Sequence, residues 1–143
     1  MKLAKWGALA LLVAVLPGCV TTYVPPPGEP VATLVSTGFG ELRMCRDGKL
    51  YTPPKNKMLE NTFSIPATGR LTLGAHLVSS GYQYVVVCNP YTSFKPEPGQ
   101  TYFVNSTLTG NGRCGIEIVR EDATKPTGLA LDTTIGIPVC DLK

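Results

Sequence analysis

An all-β chain, folded as a single antiparallel β-sandwich of about seven or eight short strands, is what the sequence predicts once its first thirty or so residues are set aside. Three observations carry this reading. From Val31 onward, β-branched and aromatic runs recur at short spacing. Gly, Pro, Asn and Asp punctuate them, and no stretch holds a 3.6-residue apolar period long enough for a helix.

The segments before Val31 read differently. Met1, Lys2 and Lys5 form a positive start and Ala8 to Leu16 an apolar run, ending in Leu16-Pro17-Gly18-Cys19. This is the pattern of a bacterial lipobox, in which a cysteine is diacylated and the chain is cut on its amino side. The apolar run falls far short of the roughly 20 residues that cross a bilayer, so a removed signal over 1–18 and a lipid on Cys19 are expected. Val20, rather than aspartate, after the cysteine points by the sorting rule of Gram-negative lipoproteins to the outer membrane, facing the periplasm. Residues 19–30 then carry Pro25, Pro26, Pro27 and Pro30, which forbid a helix and a sheet interior. They read as a tether reaching up to roughly 30 Å from the lipid in polyproline form.

The domain proper is expected over 31–143. Strands are expected at Ala32–Ser36, Glu41–Arg46, Asn61–Ile65, Arg70–Val78, Tyr82–Cys88, Thr101–Leu108, Arg113–Arg120 and Ile135–Cys140. Turns are expected at Asp47-Gly48, Ser79-Ser80-Gly81 and Gly110-Asn111-Gly112, so successive strands should be antiparallel neighbours. The clearest alternation places Leu71, Leu73, Ala75 and Leu77 in the core and turns Arg70, Thr72 and His76 outward.

With Cys19 committed to lipid, the even set Cys45, Cys88, Cys114 and Cys140 reads as two disulfides in an exported chain. No C-x-x-C pair is present to hold zinc. Strand phase selects the connectivity. Cys45 shares phase with Glu41 and Arg43, and Cys140 falls opposite Ile135, Ile137 and Val139, so both lie off the core. Cys114 shares phase with Ile116 and Ile118, and Cys88 with Tyr82, Tyr84 and Val86, in a strand that Val85 and Val87 make apolar on both faces. Cys88–Cys114 inside and Cys45–Cys140 tying down the C-terminus follow, at about 2–4 kcal/mol each. The core-facing bridge is expected to contribute more.

The formal charge of +3 owes most of its value to Lys2 and Lys5, so the domain itself is near neutral and no nucleic-acid partner is implied. Chemistry is equally spare. His76, the one histidine, sits on the polar face of a regular strand with no G-x-S-x-G elbow elsewhere, and reads as a surface residue. Glu121-Asp122 reads as a solvated turn, and Glu97, Asp132 and Asp141 are isolated. No catalytic residue, metal, cofactor or small-molecule substrate is expected. Two surface features could serve binding: the loop Tyr51–Met58 with Lys55 and Lys57, for anionic lipopolysaccharide or a protein partner in the envelope, and the hairpin Ser80-Gly81-Tyr82-Gln83-Tyr84 for a protein partner.

The stretch Phe94-Lys95-Pro96-Glu97-Pro98-Gly99-Gln100-Thr101-Tyr102, followed by Cys114-Gly115-Ile116, resembles an F-x-P-x-x-G-x-x-Y segment and C-x-[IVL] strand of small Gram-negative envelope lipoproteins. Such proteins are similar in design to carboxypeptidase-regulatory, transthyretin-like and other immunoglobulin-like sandwiches. The resemblance implies fold and compartment without chemistry, with Phe94 capping one end of the sandwich and Cys88 the natural partner of Cys114. Ser80-Gly81-Tyr82-Gln83-Tyr84 also resembles the S-G-x-x-Y inhibitory loop of periplasmic lysozyme inhibitors. The function expected is therefore a non-enzymatic binding or envelope-assembly module held by lipid. The alternative is an inhibitor or immunity lipoprotein against a cell-wall hydrolase.

Overall fold

The alternation of Leu71, Leu73, Ala75 and Leu77 builds the longest strand, and one sheet forms around it. A computed structural model describes residues 20–140; the predicted signal, Cys19 and Asp141 lie outside the described residues. The strands are β1 (Thr21–Thr22), β2 (Val31–Ser36), β3 (Glu41–Arg46), β4 (Lys49–Thr52), β5 (Thr62–Pro66), β6 (Leu71–Gly81), β7 (Tyr84–Cys88), β8 (Tyr91–Phe94), β9 (Thr101–Leu108), β10 (Cys114–Glu121) and β11 (Leu129–Leu131). The first sheet runs β1-β4-β3-β6-β7, with β8 also on β6; the second runs β11-β10-β9-β2-β5. β8 pairs with the first part of β6, from Leu71↔Phe94 to Gly74↔Tyr91, and β7 with the last, from Leu77↔Cys88 to Gly81↔Tyr84.

The two sheets bury one core. Leu42, Met44, Leu71, Leu73, Leu77 and Phe94 meet Leu34, Phe63, Ile65, Tyr102, Val104 and Ile118, each of the larger side chains worth about 1.5–3 kcal/mol when removed from water. Phe94 and Tyr102 pack edge to face at 5.1 Å between ring centres. The Glu97 N–H donates to the Tyr102 hydroxyl at 3.0 Å, and burial of that phenol raises its pKa. Between them the chain reverses at Pro98-Gly99, where Gly99 has φ 74° and its N–H reaches the Val31 carbonyl. At Asp47-Gly48 both residues have positive φ, as a two-residue hairpin requires.

The fold is an all-β sandwich, and it corrects the sequence reading in four respects. The described residues hold eleven strands rather than seven or eight, because β1, β4, β8 and β11 have two to four residues each and are too short to display a period of two. The sheets are mixed: β2 runs parallel to β9, from Thr33↔Thr101 to Ser36↔Val104, and β1 runs parallel to β4. These segments are far apart in sequence, so hairpin signals are silent about their pairing.

The predicted strand Ile135–Cys140 is instead a strap across the outer face of the first sheet. Gly136 exchanges two backbone bonds with Ser93 on the open edge of β8. The chain then crosses β6, where the Val139 N–H donates to Thr72 Oγ1 at 3.0 Å, and reaches the Cys45–Cys140 disulfide. Thr72, Ser93 and Cys45 point away from the core yet are buried beneath this strap. Ile135, Ile137 and Val139, expected to face the core, face solvent, with Ile137 86 % and Val139 65 % exposed. The other disulfide, Cys88–Cys114, joins β7 to β10 across the sandwich beside the core.

Residues 21–30, expected to stand off as a tether, are docked instead. β1 extends the first sheet beside β4, and Tyr23 is buried edge to face against Tyr51 at 5.3 Å. Its hydroxyl donates to the Glu29 carboxylate at 2.7 Å, which also pairs with Arg46, and the Arg46 guanidinium lies over the Tyr23 ring. Burial, then the bond to Glu29, pushes the Tyr23 phenol up to about 12. The prolines extend the chain, and one aromatic with one acid fixes where that extended chain lies.

Candidate partner-binding surface

Ser79-Ser80-Gly81 was expected as the hairpin loop; the three residues belong to β6, and the turn is Tyr82-Gln83, with Gln83 at φ 63°. The four last residues of β6 and most of β7 are exposed, while Ser79, Tyr84 and Val86 on the inner phase face Leu108, Thr109 and Gly110 at the β9–β10 turn. Within it the Tyr84 ring lies over Gly81, where a Cβ would stand 2.3 Å from a ring carbon. The glycine therefore permits the aromatic to lie flat across its strand partner. Phase divides the remaining side chains. Leu77 and Cys88 face the core, while Val78 pairs with Val87 on the outer face and Ser80 with Val85.

Val85 is 66 % exposed, Val87 54 % and Tyr82 89 %. From Leu77 to Phe94 the chain carries no charged residue. Among the described strands, β7 ends its sheet, whereas the neighbouring edge of β8 is covered by Gly136 of the strap. Sequence reasoning singled out Ser80, Gly81, Tyr82 and Tyr84 and passed over Val85 and Val87. Their signal was legible, since a strand apolar on both faces at the edge of a sheet must leave one face wet.

Lys55 and Lys57 lie in the loop from Pro53 to Asn61. Lys55 bridges Phe63 and holds its ammonium 5.9 Å from that ring centre, while Lys57, Met58 and Leu59 are exposed, with the Met58 N–H bonded to Asn56 Oδ1. A groove of about 480 Å³ runs beside this loop, lined by Phe39, Leu42, Lys55 and Phe63 among others. The lysine loop follows β4 but leaves that sheet to run along β5, where Lys55 bridges Phe63, whereas the hairpin lies at the β7 edge of the first sheet. The structure places the two features at one pole of the sandwich without joining them into one patch.

His76 points outward, as phase requires, with Nδ1 2.7 Å from Asn89 Oδ1. An amide carbonyl can take the Nδ1 proton and orient the ring, but it offers no negative charge to stabilise an imidazolium. Among the described residues no three of His, Cys, Asp or Glu come together to hold a metal ion, and no helix is long and apolar enough to cross a membrane.

Strand direction relates the hairpin to the chain's entry. β1 is parallel to β4, and β4 and β6 are each antiparallel to β3, so β1 and β6 run the same way. The chain therefore enters β1 from the pole opposite the hairpin tip. Thr21 lies level with Leu73 through Tyr51 and Met44, and from Leu73 to Gly81 is about 26 Å at roughly 3.3 Å per residue.

The chain matches none of the family models, curated proteins or solved structures with which it was compared.

Proposed function

We propose that this chain is a lipid-anchored, non-enzymatic binding or envelope-assembly module, held through Cys19 at the periplasmic face of the outer membrane and engaging a protein partner. The observation that carries the reading is the uncharged, aromatic-tipped β6–β7 hairpin. It presents Tyr82, Val85 and Val87 to solvent at the pole away from the chain's entry. A lone exposed valine is unremarkable on a soluble domain; a contiguous apolar hairpin stapled at its base by Cys88–Cys114 is what a binding surface needs. The Leu16–Cys19 string supplies the address, and the resemblance to small envelope lipoproteins agrees with it.

The test has two arms. Cys19→Ser should move the protein from the membrane to the soluble periplasmic fraction with its fold unchanged, and a serine variant that sediments like the parent, with no acyl mass on the parent's N-terminus, defeats the anchor. Replacing Tyr82 with a photo-reactive phenylalanine analogue in living cells should yield a protein adduct. A second reading is favoured by one observation: Ser80-Gly81-Tyr82-Gln83-Tyr84 forms the exposed tip of the hairpin. A wedge of that shape suits an inhibitor of a cell-wall hydrolase, and inhibition of lysozyme by the purified domain checks it.

A further inference from the structure

The hairpin's outer strand has an unusual combination of features. In a two-residue hairpin the pair flanking the turn is hydrogen-bonded, so along β7 the bonded pairs are Gly81↔Tyr84, Ser79↔Val86 and Leu77↔Cys88. Val85 and Val87 fall at the alternate positions, and their N–H and C=O groups point to the open edge of the sheet. Their side chains stand on the exposed outer face. Natural edge strands are ordinarily blunted by lysine, proline, a bulge or a covering segment. In this same sheet β8 is covered by Gly136 and β4 by β1. β7 has none of these protections, and Pro90 bounds its open stretch only after Cys88.

The geometry points to β7 as a strand-addition site: an extended segment of an envelope protein, uncharged and apolar at alternating positions, pairs with the backbone of Val85 and Val87 and lays its side chains beside theirs. This rests on the binding-module reading above and names its mode of recognition. The chemistry of the occupant follows from the site. A partner strand bearing a charge on the outer face would desolvate it against Val85 and Val87, with no opposite charge between Leu77 and Phe94 to meet it. A second copy of this chain is the poorer fit. Antiparallel pairing of two β7 strands about a two-fold axis puts the two chain entries at opposite ends, where two lipids cannot share one membrane.

The experiment uses the full-length protein in its own cells, with a photo-reactive phenylalanine analogue at Val87 in one strain and at Tyr82 in another. Val85→Pro removes the outward N–H while leaving every bond within the hairpin, a position where edge strands tolerate proline. Val85→Thr keeps that N–H, and Val85→Lys keeps it while charging the stripe. The expected result is an adduct at 87 whose yield falls about fivefold or more in Val85→Pro and in Val85→Lys but persists in Val85→Thr. Mass spectrometry should place the cross-link in an uncharged segment of alternating apolar residues. Should Val85→Pro fail to fold, Val85→Lys carries the comparison alone. An adduct indifferent to Val85→Pro and Val85→Lys, one mapping to a charged surface, or one that is a dimer of this chain overturns strand addition. Adducts at Tyr82 without any at 87 also overturn it while leaving the binding module standing. Their absence at both positions removes the binding-module reading itself.

Discussion

Tyr84 lies across the backbone of Gly81, its register partner on β6, and Tyr91 lies in the same way across Gly74 seven residues earlier on that strand. In each pair the missing side chain makes room for a ring, so β6 carries two aromatic-on-glycine contacts, one at the buried level of the sheet and one at the free hairpin. The difference in surroundings makes them separable. At Gly74 a Cβ would stand 1.8 Å from a Tyr91 ring carbon, in a buried part of the strand. Gly74→Ala should lower unfolding free energy by about 1–3 kcal/mol, the usual result of overpacking. At Gly81 the Tyr84 ring can swing into solvent, so Gly81→Ala should cost under about 1 kcal/mol while moving Tyr84. Urea titrations of the two variants check the order, and equal losses would show the hairpin to be as confined as the sheet.

The docking of residues 21–30 should respond to alkaline pH through Tyr23. Its folded-state pKa is raised above the unfolded value near 10 to about 12, so the neutral phenol is the form the fold favours. The stability this contributes is fully present below pH 10 and is lost as pH rises from about 10 through about 12. Tyrosinate absorbance should show two late-titrating phenols, Tyr23 and Tyr102, of which Tyr23→Phe removes one. A normal titration for Tyr23 would mean that the segment is not docked in solution.

Loop length and position rank the two disulfides differently. Cys88–Cys114 borders the core but spans 26 residues, whereas Cys45–Cys140 spans 95. Chain entropy therefore favours the outer bridge by about 1 kcal/mol, reversing the order that core-facing phase alone implies. Cys45→Ser with Cys140→Ser should be the more destabilising pair in urea, and should speed amide exchange at Val139, which bonds to Thr72. Equal or greater loss from the Cys88 and Cys114 pair would show that packing beside the core outweighs loop closure.

His76→Ala should leave both stability and any cellular phenotype nearly unchanged, since the side chain makes one exposed bond to Asn89. Tyr82→Ala, by contrast, removes the most exposed aromatic of the hairpin and should weaken partner association by about 1–2 kcal/mol or more. Side-by-side phenotyping of the two strains is sufficient. An indispensable His76 with a dispensable Tyr82 would overturn the proposed binding module in favour of an enzyme.

Much of this architecture is determined by sequence alone. Alternation along Leu71–Leu77 and Cys114–Ile118 states which residues share a face, Asp47-Gly48 demands positive φ, and phase groups the cysteines into the pairs that are found, although the phase taken as core-facing beside Cys140 faces solvent. All are local consequences of a two-residue repeat or of backbone sterics. Tertiary structure decided which face is covered. Ile135, Ile137 and Val139 alternate as a core strand would, yet the Cys45–Cys140 bridge and the bonds to Ser93 and Thr72 hold their opposite face against the sheet, leaving the apolar one to solvent. Thr72 and Ser93 are buried for the same reason. The parallel pairing of β2 with β9, and the capture of Tyr23 by Glu29 and Arg46, likewise depend on groups distant in the chain. Alternation carries phase but no sign; which phase is inside is settled only when a second surface arrives to exclude water from it.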